Sequence, residues 1–262
     1  MWWLCKASLK FAVLKAFADG SLGSATAWFY EPYFDDPPTC GLPMEIVNNG
    51  DLKRWSIEAD KNNIQLSVHG IGDRAVGYLL DLAEELNNKN GNIDRRFRIE
   101  HAQHIRENDI KKCGDLGVII SAQPYHMFEE PWIANKIGTG RERYTYAFKS
   151  FLDNDVKVCF GSDWPVVTLD PIQGIYSAVT RLTSAGTALV PEERISVEEA
   201  IKCYTINAAY ANYDEDKLGS IEAGKFADFV VLSEDLFSID TKDIKDVKVD
   251  MTVFDGDVIF QR

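Results

Sequence analysis

The strongest constraint on the fold is the alternation of short apolar runs with helical patterns along most of the chain. The apolar runs are rich in β-branched and aromatic residues, a composition that predicts β-strands. They occupy residues 11–17, 64–69, 96–101, 117–122 and 156–161. Between them, apolar residues recur at helical spacing, as from Val76 to Leu86. Because parallel neighbours need a crossover long enough to hold a helix, this alternation predicts βαβ units and a parallel sheet.

The second half of the chain continues this pattern and then changes it. Further helices are predicted over residues 141–152, 172–182 and 200–211. Ser196 and Glu199 have the spacing of a capping box in front of the last of these helices. Two later segments, rich in strand formers and broken by glycine, predict short β-strands. We therefore expect an α/β domain over residues 1–212 and part of a small β-sandwich over residues 213–262.

Charge and cysteine content argue against several classes of protein. Of the 262 residues, 28 are Lys or Arg and 41 are Asp or Glu, so the net charge is −13. This charge repels polyanions, and we expect no nucleic-acid partner. The five cysteines are odd in number and lack a Cys-x-x-Cys pair, which favours a reducing cytoplasm over a disulfide framework. No run approaches the roughly 18 apolar residues of a spanning helix, so we expect no membrane segment.

Polar side chains able to bind a metal or move a proton lie at the ends of the predicted strands. His69, His101, Gln123 and Asp163 end or follow four strands, and Lys15 lies close to the end of the remaining one. In parallel α/β folds, the carboxyl edge of the sheet is where ligands bind. The sequence therefore predicts one site at this edge.

The two strand-end histidines predict a metal site. Neutral imidazole is the commonest nitrogen ligand of zinc, and a hydrolytic zinc site keeps one position open for water. Singly, His69 or His101 is as compatible with a hydrogen-bonded structural role, but the pair on consecutive strands favours metal ligands. Asp163 can bind metal and accept a proton from metal-activated water, or it can simply cap a helix or turn.

Lys15 is unusual because a lysine within an apolar run is costly in a packed interior unless it is neutralised or paired. A buried amine with a lowered pKa can form a Schiff base, or it can take up carbon dioxide and become a carbamate that bridges two metals. A snorkelling lysine near the strand end fits the spacing equally well. All three interpretations stay open at this point.

Other polar residues are assigned to the surroundings of the site. His104 is a candidate for supporting the metal ligands from behind. The candidate substrate contacts are Asp19, Gln123, His126, Arg141 and Trp164.

Several motifs together resemble the amidohydrolase superfamily, in particular its amidohydrolase 3 branch, which includes N-substituted formamide deformylase-like proteins. In chain order they are VLKAFADGSLGS, VHGIGDRAV, RIEHAQHI, SAQPYH and GSDWPV. The later stretch GSIEAGKFADFVVL resembles the superfamily's C-terminal return to a β-sandwich. The resemblance extends from about residue 11 to residue 260, and the motifs in series are far more specific than any one of them.

The resemblance implies a metal-dependent (β/α)8 barrel, or TIM barrel, of which this chain holds strands four to eight. It implies that Lys15, His69, His101 and Asp163 bind one or two divalent ions, with zinc as the first candidate, and that Lys15 is carboxylated. It further implies hydrolysis of a non-peptide carbon–nitrogen bond in a small amide, N-acyl or formamide-type substrate. In that reaction Asp163 transfers a proton to the leaving nitrogen while metal-activated water attacks the carbonyl.

The chain also departs from the family pattern. It contains no His-x-His pair, and five predicted strands are fewer than the eight of a closed barrel. We expect Met1 to begin inside a longer ancestral protein, and an open sheet to favour self-association or a complementing N-terminal segment. Two alternatives to an active amidohydrolase are a catalytically impaired remnant that acts as a binding or regulatory module, and a Schiff-base lyase that uses Lys15.

Overall fold

The computed structural model describes residues 13–262, and its main body is a five-stranded parallel sheet. The strands are β1 (Val13–Phe17), β2 (Gln65–Gly70), β3 (Arg98–His101), β4 (Ile119–Ala122) and β5 (Lys157–Phe160). They lie side by side in chain order, and each neighbouring pair is parallel. All five predicted strands are confirmed, although residues 11 and 12 of the first lie outside the described residues.

Helices connect the strands and bury their apolar sides. Their bounds are α1 (Glu45–Asn48), α2 (Asp51–Lys61), α3 (Asp73–Asn90), α4 (Glu107–Asp115), α5 (Pro124–Glu129), α6 (Ile133–Ile137), α7 (Phe148–Asp153), α8 (Pro171–Thr180), α9 (Val197–Tyr204) and α10 (Ile206–Ala211). Helix α3 confirms the predicted periodicity, since Val76, Leu79, Leu80 and Leu86 are all fully buried. Short 3-10 helices occupy Arg141–Tyr144, Pro191–Glu193 and Ile244–Asp246.

The two faces of the parallel sheet differ in polarity, because successive side chains of a strand point to opposite faces. One face packs into the main core together with the helices and carries Leu66, Val68, Ile99, Ile120 and Val158. The register places Lys15 beside Ser67, and Ser67 beside Arg98, on the other face. Ser67 Oγ donates a hydrogen bond to Glu100 Oε1. A polar row of side chains therefore crosses the sheet towards the strand ends.

Helix α10 packs against the amino ends of the strands, opposite the edge where the site is expected. Ala211 at its end joins Ile119 and Cys159 in a small apolar cluster. Gln65 Nε2, at the start of β2, donates to the Ala211 carbonyl over 2.8 Å. Asn207 Nδ2 donates to the Val158 carbonyl in β5 over 2.9 Å. These contacts hold α10 to the sheet.

The helix predicted over residues 141–152 is interrupted. A 3-10 helix and α7 replace it, and between them Tyr146 has a left-handed backbone with φ of 49°. The Arg181 guanidinium donates to the carbonyls of Tyr146 (2.7 Å) and Thr145 (3.0 Å). The Tyr146 N–H donates to the Gln103 carbonyl over 2.8 Å. Because these backbone groups find partners outside the helix, a continuous helix is not needed to satisfy them.

The helix predicted over residues 200–211 is also divided, at Thr205, into α9 and α10. Thr205 has φ of −117° and ψ of −95°, outside the helical region. The separate anchoring of α10 to the sheet accounts for this change of direction. The capping box is confirmed: Ser196 Oγ accepts from the Glu199 N–H, and the Glu199 carboxylate accepts from the Ser196 N–H.

The C-terminal segment forms a separate antiparallel sheet of three strands. These are β6 (Phe229–Leu232), β7 (Val249–Phe254) and β8 (Asp257–Gln261), in the order β6-β7-β8. These strands agree with the short β-strands predicted for the C-terminal segment. A domain boundary between residues 212 and 213 stays a prediction. Within residues 13–262, no helix combines the length and the apolar character that crossing a membrane requires.

The buried Arg181 generates a stability prediction. Its side chain is 0% exposed and also donates to the Leu189 carbonyl over 2.9 Å. Replacing it in Arg181→Met removes a buried donor from three carbonyls, of which only that of Tyr146 keeps another donor within residues 13–262, the Phe148 N–H. We therefore expect the free energy of unfolding to fall by about 3 kcal/mol in urea titrations. The control Arg54→Met removes a side chain that is 72% exposed in its ion pair, and it should cost under about 1 kcal/mol. Equal losses in the two variants would contradict this account.

Candidate active site

The carboxyl ends of the parallel strands surround a cavity of about 310 Å³, called here the strand-end cavity. Lys15, His69, His101 and Asp163 all line it, although they lie far apart in the chain. Phe17 and other apolar side chains complete the wall. The structure therefore brings the four predicted metal ligands to one cavity, while their role as ligands stays a prediction.

His101 is held in one tautomer by Gln123. Gln123 Nε2 donates to the Ser121 carbonyl, so its Oε1 faces His101 Nδ1 at a distance of 2.7 Å. Nδ1 therefore carries the proton, and Nε2 keeps the lone pair that a metal ligand needs. Burial, aided by His69, lowers the pKa of His101 to about 3, so the ring is neutral at physiological pH. Gln123 thus orients His101 and does not itself line the cavity.

The backbone at the end of β3 directs His101 into the cavity. In the register, Glu100 lies beside His69, so both belong to the same face of the sheet. If side chains alternated regularly along β3, His101 would point to the opposite face. Instead His101 has φ of 73° and Ala102 has φ of 43°, both in the left-handed region. The His101 ring consequently lies 4.5 Å from the His69 ring, centroid to centroid.

Asp19 supports the cavity from behind. Its buried carboxylate accepts hydrogen bonds from the backbone N–H groups of Trp28 (2.8 Å), Ile71 (3.0 Å) and Gly72 (2.9 Å). It also lies 3.4 Å from His69 Nε2, which donates to the Gly20 carbonyl over 2.9 Å. His69 Nδ1 therefore keeps its lone pair. The structure places the predicted substrate contact Asp19 in this supporting network and not on the cavity wall.

Lys15 lines the strand-end cavity and does not lie in a packed interior, as the alternative of a snorkelling lysine near the strand end expects. Among the described strands, β1 is at the edge of the sheet, and Lys15 is exposed on it. Partial burial still lowers the pKa of its amine, against the opposing effect of the Glu100 and Asp163 carboxylates. The lysine is thus beside the cavity and within electrostatic reach of Asp163.

Asp163 and His126 lie on the far side of the strand-end cavity. Asp163 follows β5 and has a left-handed backbone with φ of 59°. Burial lowers the pKa of His126, and its Nε2 is buried without a hydrogen-bond partner in the described part of the chain. The His126 ring is nearly parallel to that of His101 at 6.1 Å. His126 thus lies in the cavity wall, while its role as a substrate contact stays a prediction.

Arg141 and Trp164 do not line the strand-end cavity. Arg141 donates to the carbonyls of Pro32 and Glu31, and the Trp164 side chain is exposed. His104 is also outside it, with its Nδ1 2.9 Å from Thr145 Oγ1. Any substrate contact by Arg141 or Trp164 would therefore lie beyond this cavity.

Sequence reasoning missed Glu130, which lines the cavity together with Gln103. Glu130 accepts hydrogen bonds from Gln103 Nε2 and from Tyr146 Oη, the latter over 2.8 Å. Its one sequence signal is that Glu130 lies four residues after the candidate His126, although α5 ends at Glu129 and Glu130 itself is not helical.

A model of the amidohydrolase family matches residues 5–260 of the sequence. The chain belongs to the amidohydrolase family. Among curated proteins it is 41% identical to Protein LONG AFTER FAR-RED 3 of Arabidopsis thaliana over 88% of its length. It is 34% identical to the putative amidohydrolase YtcJ of Bacillus subtilis over 97% of its length. It is also 34% identical to the N-substituted formamide deformylase of Arthrobacter pascens over 83%.

The fold agrees with solved structures of two uncharacterized metal-dependent hydrolases. The one from Pyrococcus horikoshii OT3 aligns with a TM-score of 0.78 and 29% identity, covering 88% of this chain and 46% of that one. The one from Pyrococcus furiosus aligns with a TM-score of 0.71 and 35% identity, covering 81% and 42%. The three curated relatives are matched over 40%, 48% and 40% of their own lengths. This amidohydrolase chain thus spans less than half of each, and the predicted family and five-unit α/β fold are confirmed.

The donor set of this amidohydrolase chain suits a divalent cation. Within residues 13–262, no three or more His, Cys, Asp and Glu side chains already stand close enough together to hold a metal ion. The strand-end cavity nevertheless combines two imidazoles that each keep a lone pair, the Asp163 carboxylate and the Lys15 amine. Mixed nitrogen and oxygen donors suit several divalent ions, zinc among them. The types of donor atom in the cavity therefore match those that a divalent metal ion binds.

His104 generates a prediction on pH dependence. Burial lowers its pKa from 6.5 to about 3, so below pH 6.5 the unfolded chain takes up a proton that the folded chain does not. The contribution of neutral His104 to the free energy of unfolding is therefore complete above pH 6.5. It is lost as the pH falls towards 3, by up to about 1.4 kcal/mol per pH unit. Between pH 7 and pH 5, we expect wild type to lose about 2 kcal/mol more than His104→Gln in urea unfolding. Because the two proteins share every other titrating group, equal losses would rule out a neutral His104.

Proposed function

We propose that this chain carries the catalytic half-site of a metal-dependent hydrolase that cleaves non-peptide carbon–nitrogen bonds in small amide, N-acyl or formamide-type substrates. The observation that carries the proposal is the convergence of Lys15, His69, His101 and Asp163 on the strand-end cavity. Membership of the amidohydrolase family supports an amide-type bond, and the relative named N-substituted formamide deformylase supports the narrower substrate type.

In this proposal Lys15, His69, His101 and Asp163 hold the metal, with zinc as the first candidate. A bound divalent cation supplies Lewis-acid activation of water and of the substrate carbonyl. The lowered pKa of Lys15 increases the fraction of neutral amine, the form that reacts with carbon dioxide to give a carbamate and a proton. A carbamate would turn Lys15 from a cation into an anionic oxygen ligand.

The remaining side chains position the substrate and move its proton. Asp163 lies at the cavity wall, where its carboxylate accepts a proton from the attacking water and delivers it to the leaving nitrogen. His126 Nε2, which has no partner within residues 13–262, is available to hydrogen-bond a polar group of the substrate. Phe17, Leu22 and Ile71 supply apolar wall against an acyl or alkyl group.

We also propose that the exposed edge of β1 is covered by a second copy of the chain or by a complementing segment. Leu14 and Phe17 on this strand are 42% and 47% exposed, and an unpaired strand edge with apolar side chains favours association. A cytoplasmic location is proposed on the cysteine content of the sequence.

A binding or regulatory module is the second candidate function. It is favoured by the lack of a preformed cluster of three His, Cys, Asp or Glu ligands among the described residues. Such a module would keep the cavity and bind a small amide without hydrolysing it.

Metal binding provides the first test. We expect the purified chain to bind Zn²⁺ in calorimetric titrations, and His101→Ala to weaken binding at least tenfold, because it removes a neutral donor oriented by Gln123. His104→Ala is the matched control, since that neighbouring imidazole lies outside the cavity and should change affinity less than threefold. Zinc affinity that is the same in wild type and both variants would remove the metal site assigned here.

Hydrolysis provides the second test. With N-benzylformamide as substrate and formate release as the readout, we expect Asp163→Asn to lower kcat/KM by about 10²–10⁴-fold, because the asparagine cannot accept the proton. Asp155→Asn, an exposed position that also has a left-handed backbone, is the matched control and should keep wild-type activity. A chain that binds zinc and the amide but releases no formate would instead support the binding module.

A further inference from the structure

A second cavity, of about 430 Å³, adjoins the strand-end cavity and is called here the Glu130 cavity. The two cavities share His126, Glu130 and Val166 in their walls. Tyr125 and Trp132 line only the second cavity. Glu130 therefore lies in the wall that the two cavities have in common.

Glu130 lacks a cationic partner in the described part of the chain. Its carboxylate accepts from the amide of Gln103 and the hydroxyl of Tyr146, both neutral donors. Of the ion pairs formed within residues 13–262, none involves Glu130.

Two other carboxylates that are removed from water have a cation beside them, whereas Asp19 is compensated by three backbone N–H donors. The nearly buried Asp60 pairs with Arg95 at 2.9 Å, and the buried Glu193 pairs with Arg143 at 2.8 Å. Removing a carboxylate from water without such a partner is costly, and burial raises the pKa of Glu130 to about 7. No cation in the described part of the chain therefore compensates the charge that Glu130 carries when it is ionised.

The remaining walls of the Glu130 cavity are suited to a cation. Neither Lys nor Arg is among the described residues that line it, and burial lowers the pKa of His126, which keeps that ring neutral. Glu129 adds a second, exposed carboxylate. Tyr125 and Trp132 contribute aromatic rings, whose faces attract cations. Negative charge and aromatic surface thus occur in one cavity.

We propose that the Glu130 cavity binds a cationic N–H group, a guanidinium or a primary ammonium, carried by the substrate whose amide lies in the strand-end cavity. Glu130 is the residue that selects this group, through charge-assisted hydrogen bonds to its oxygens. Gln103 and Tyr146 hold the carboxylate in place, and the aromatic rings surround the cation. The substrate class is therefore amides with a positively charged substituent. This inference rests on the proposed function only in identifying the cation as part of the substrate.

The test measures binding to the full chain by calorimetry at pH 8.5, where the Glu130 carboxyl is ionised. The probes are N-benzylguanidine and N-benzylurea, which have nearly the same shape but differ by one positive charge and by an amino group that is a carbonyl oxygen in the urea. We expect the guanidine to bind at least tenfold more tightly than the urea. A ratio below threefold would overturn the proposal.

Two matched variants locate the effect. Glu130→Gln keeps the shape of the side chain and removes its charge, so the guanidine-to-urea ratio should fall below threefold. Glu129→Gln makes the same chemical change at an exposed position of the same cavity, where solvent screens the charge, and it should keep the ratio within threefold of wild type. A ratio retained in Glu130→Gln, or lost equally in both variants, would contradict the assigned role of Glu130.

A measurement on wild type keeps the test decisive if Glu130→Gln does not fold. The guanidine should shift the indole N–H resonance of Trp132, which lines the cavity, and leave that of Trp55 unchanged. Binding that shifts neither resonance would place the cation elsewhere and overturn the proposal. None of these measurements depends on turnover. Cation binding without formamide hydrolysis would therefore contradict only the proposed function. Hydrolysis without selectivity for the cation would contradict only this inference.

Discussion

Parallel pairing of β1 to β5 in chain order is the constraint on which the site depends. It aligns the carboxyl ends of all five strands at one edge, so residues separated by more than a hundred positions in the sequence face one cavity. The amino ends are closed by α10, which is held through Gln65 and Asn207. The strand-end cavity lies at the opposite edge, where the loops that follow the strands supply part of its wall.

The strand ends could be predicted from the sequence because β-branched runs and their polar terminal residues are local features. Lys15, His69, His101 and Asp163 were placed at one edge by topology alone, and the structure brings them to a common cavity. What could not be predicted depends on long-range contacts. Left-handed backbone at His101 has no local marker in RIEHAQHI, and Asp19 becomes a support only when three distant backbone N–H groups converge on it.

The interruption of the predicted helices also depends on long-range contacts. Local periodicity over residues 141–152 favours a helix, but the fold uses the carbonyls of Thr145 and Tyr146 as acceptors for Arg181. A buried guanidinium must satisfy its donors, and this requirement outweighs the small propensity differences between neighbouring residues. Neither the burial of Arg181 nor the identity of the carbonyls around it could be predicted from the sequence.

The same contact links the helical layer to the second cavity. Arg181, which follows α8, holds Tyr146 in a left-handed backbone, and the Tyr146 hydroxyl donates to Glu130. Gln103, two residues beyond His101, donates to the same carboxylate and accepts from the Tyr146 N–H through its own backbone carbonyl. The position of Glu130 is thus tied to the segment that follows His101 at the end of β3. Since these neutral donors orient the Glu130 carboxylate without pairing its negative charge, the ionised carboxylate is available to a cationic ligand.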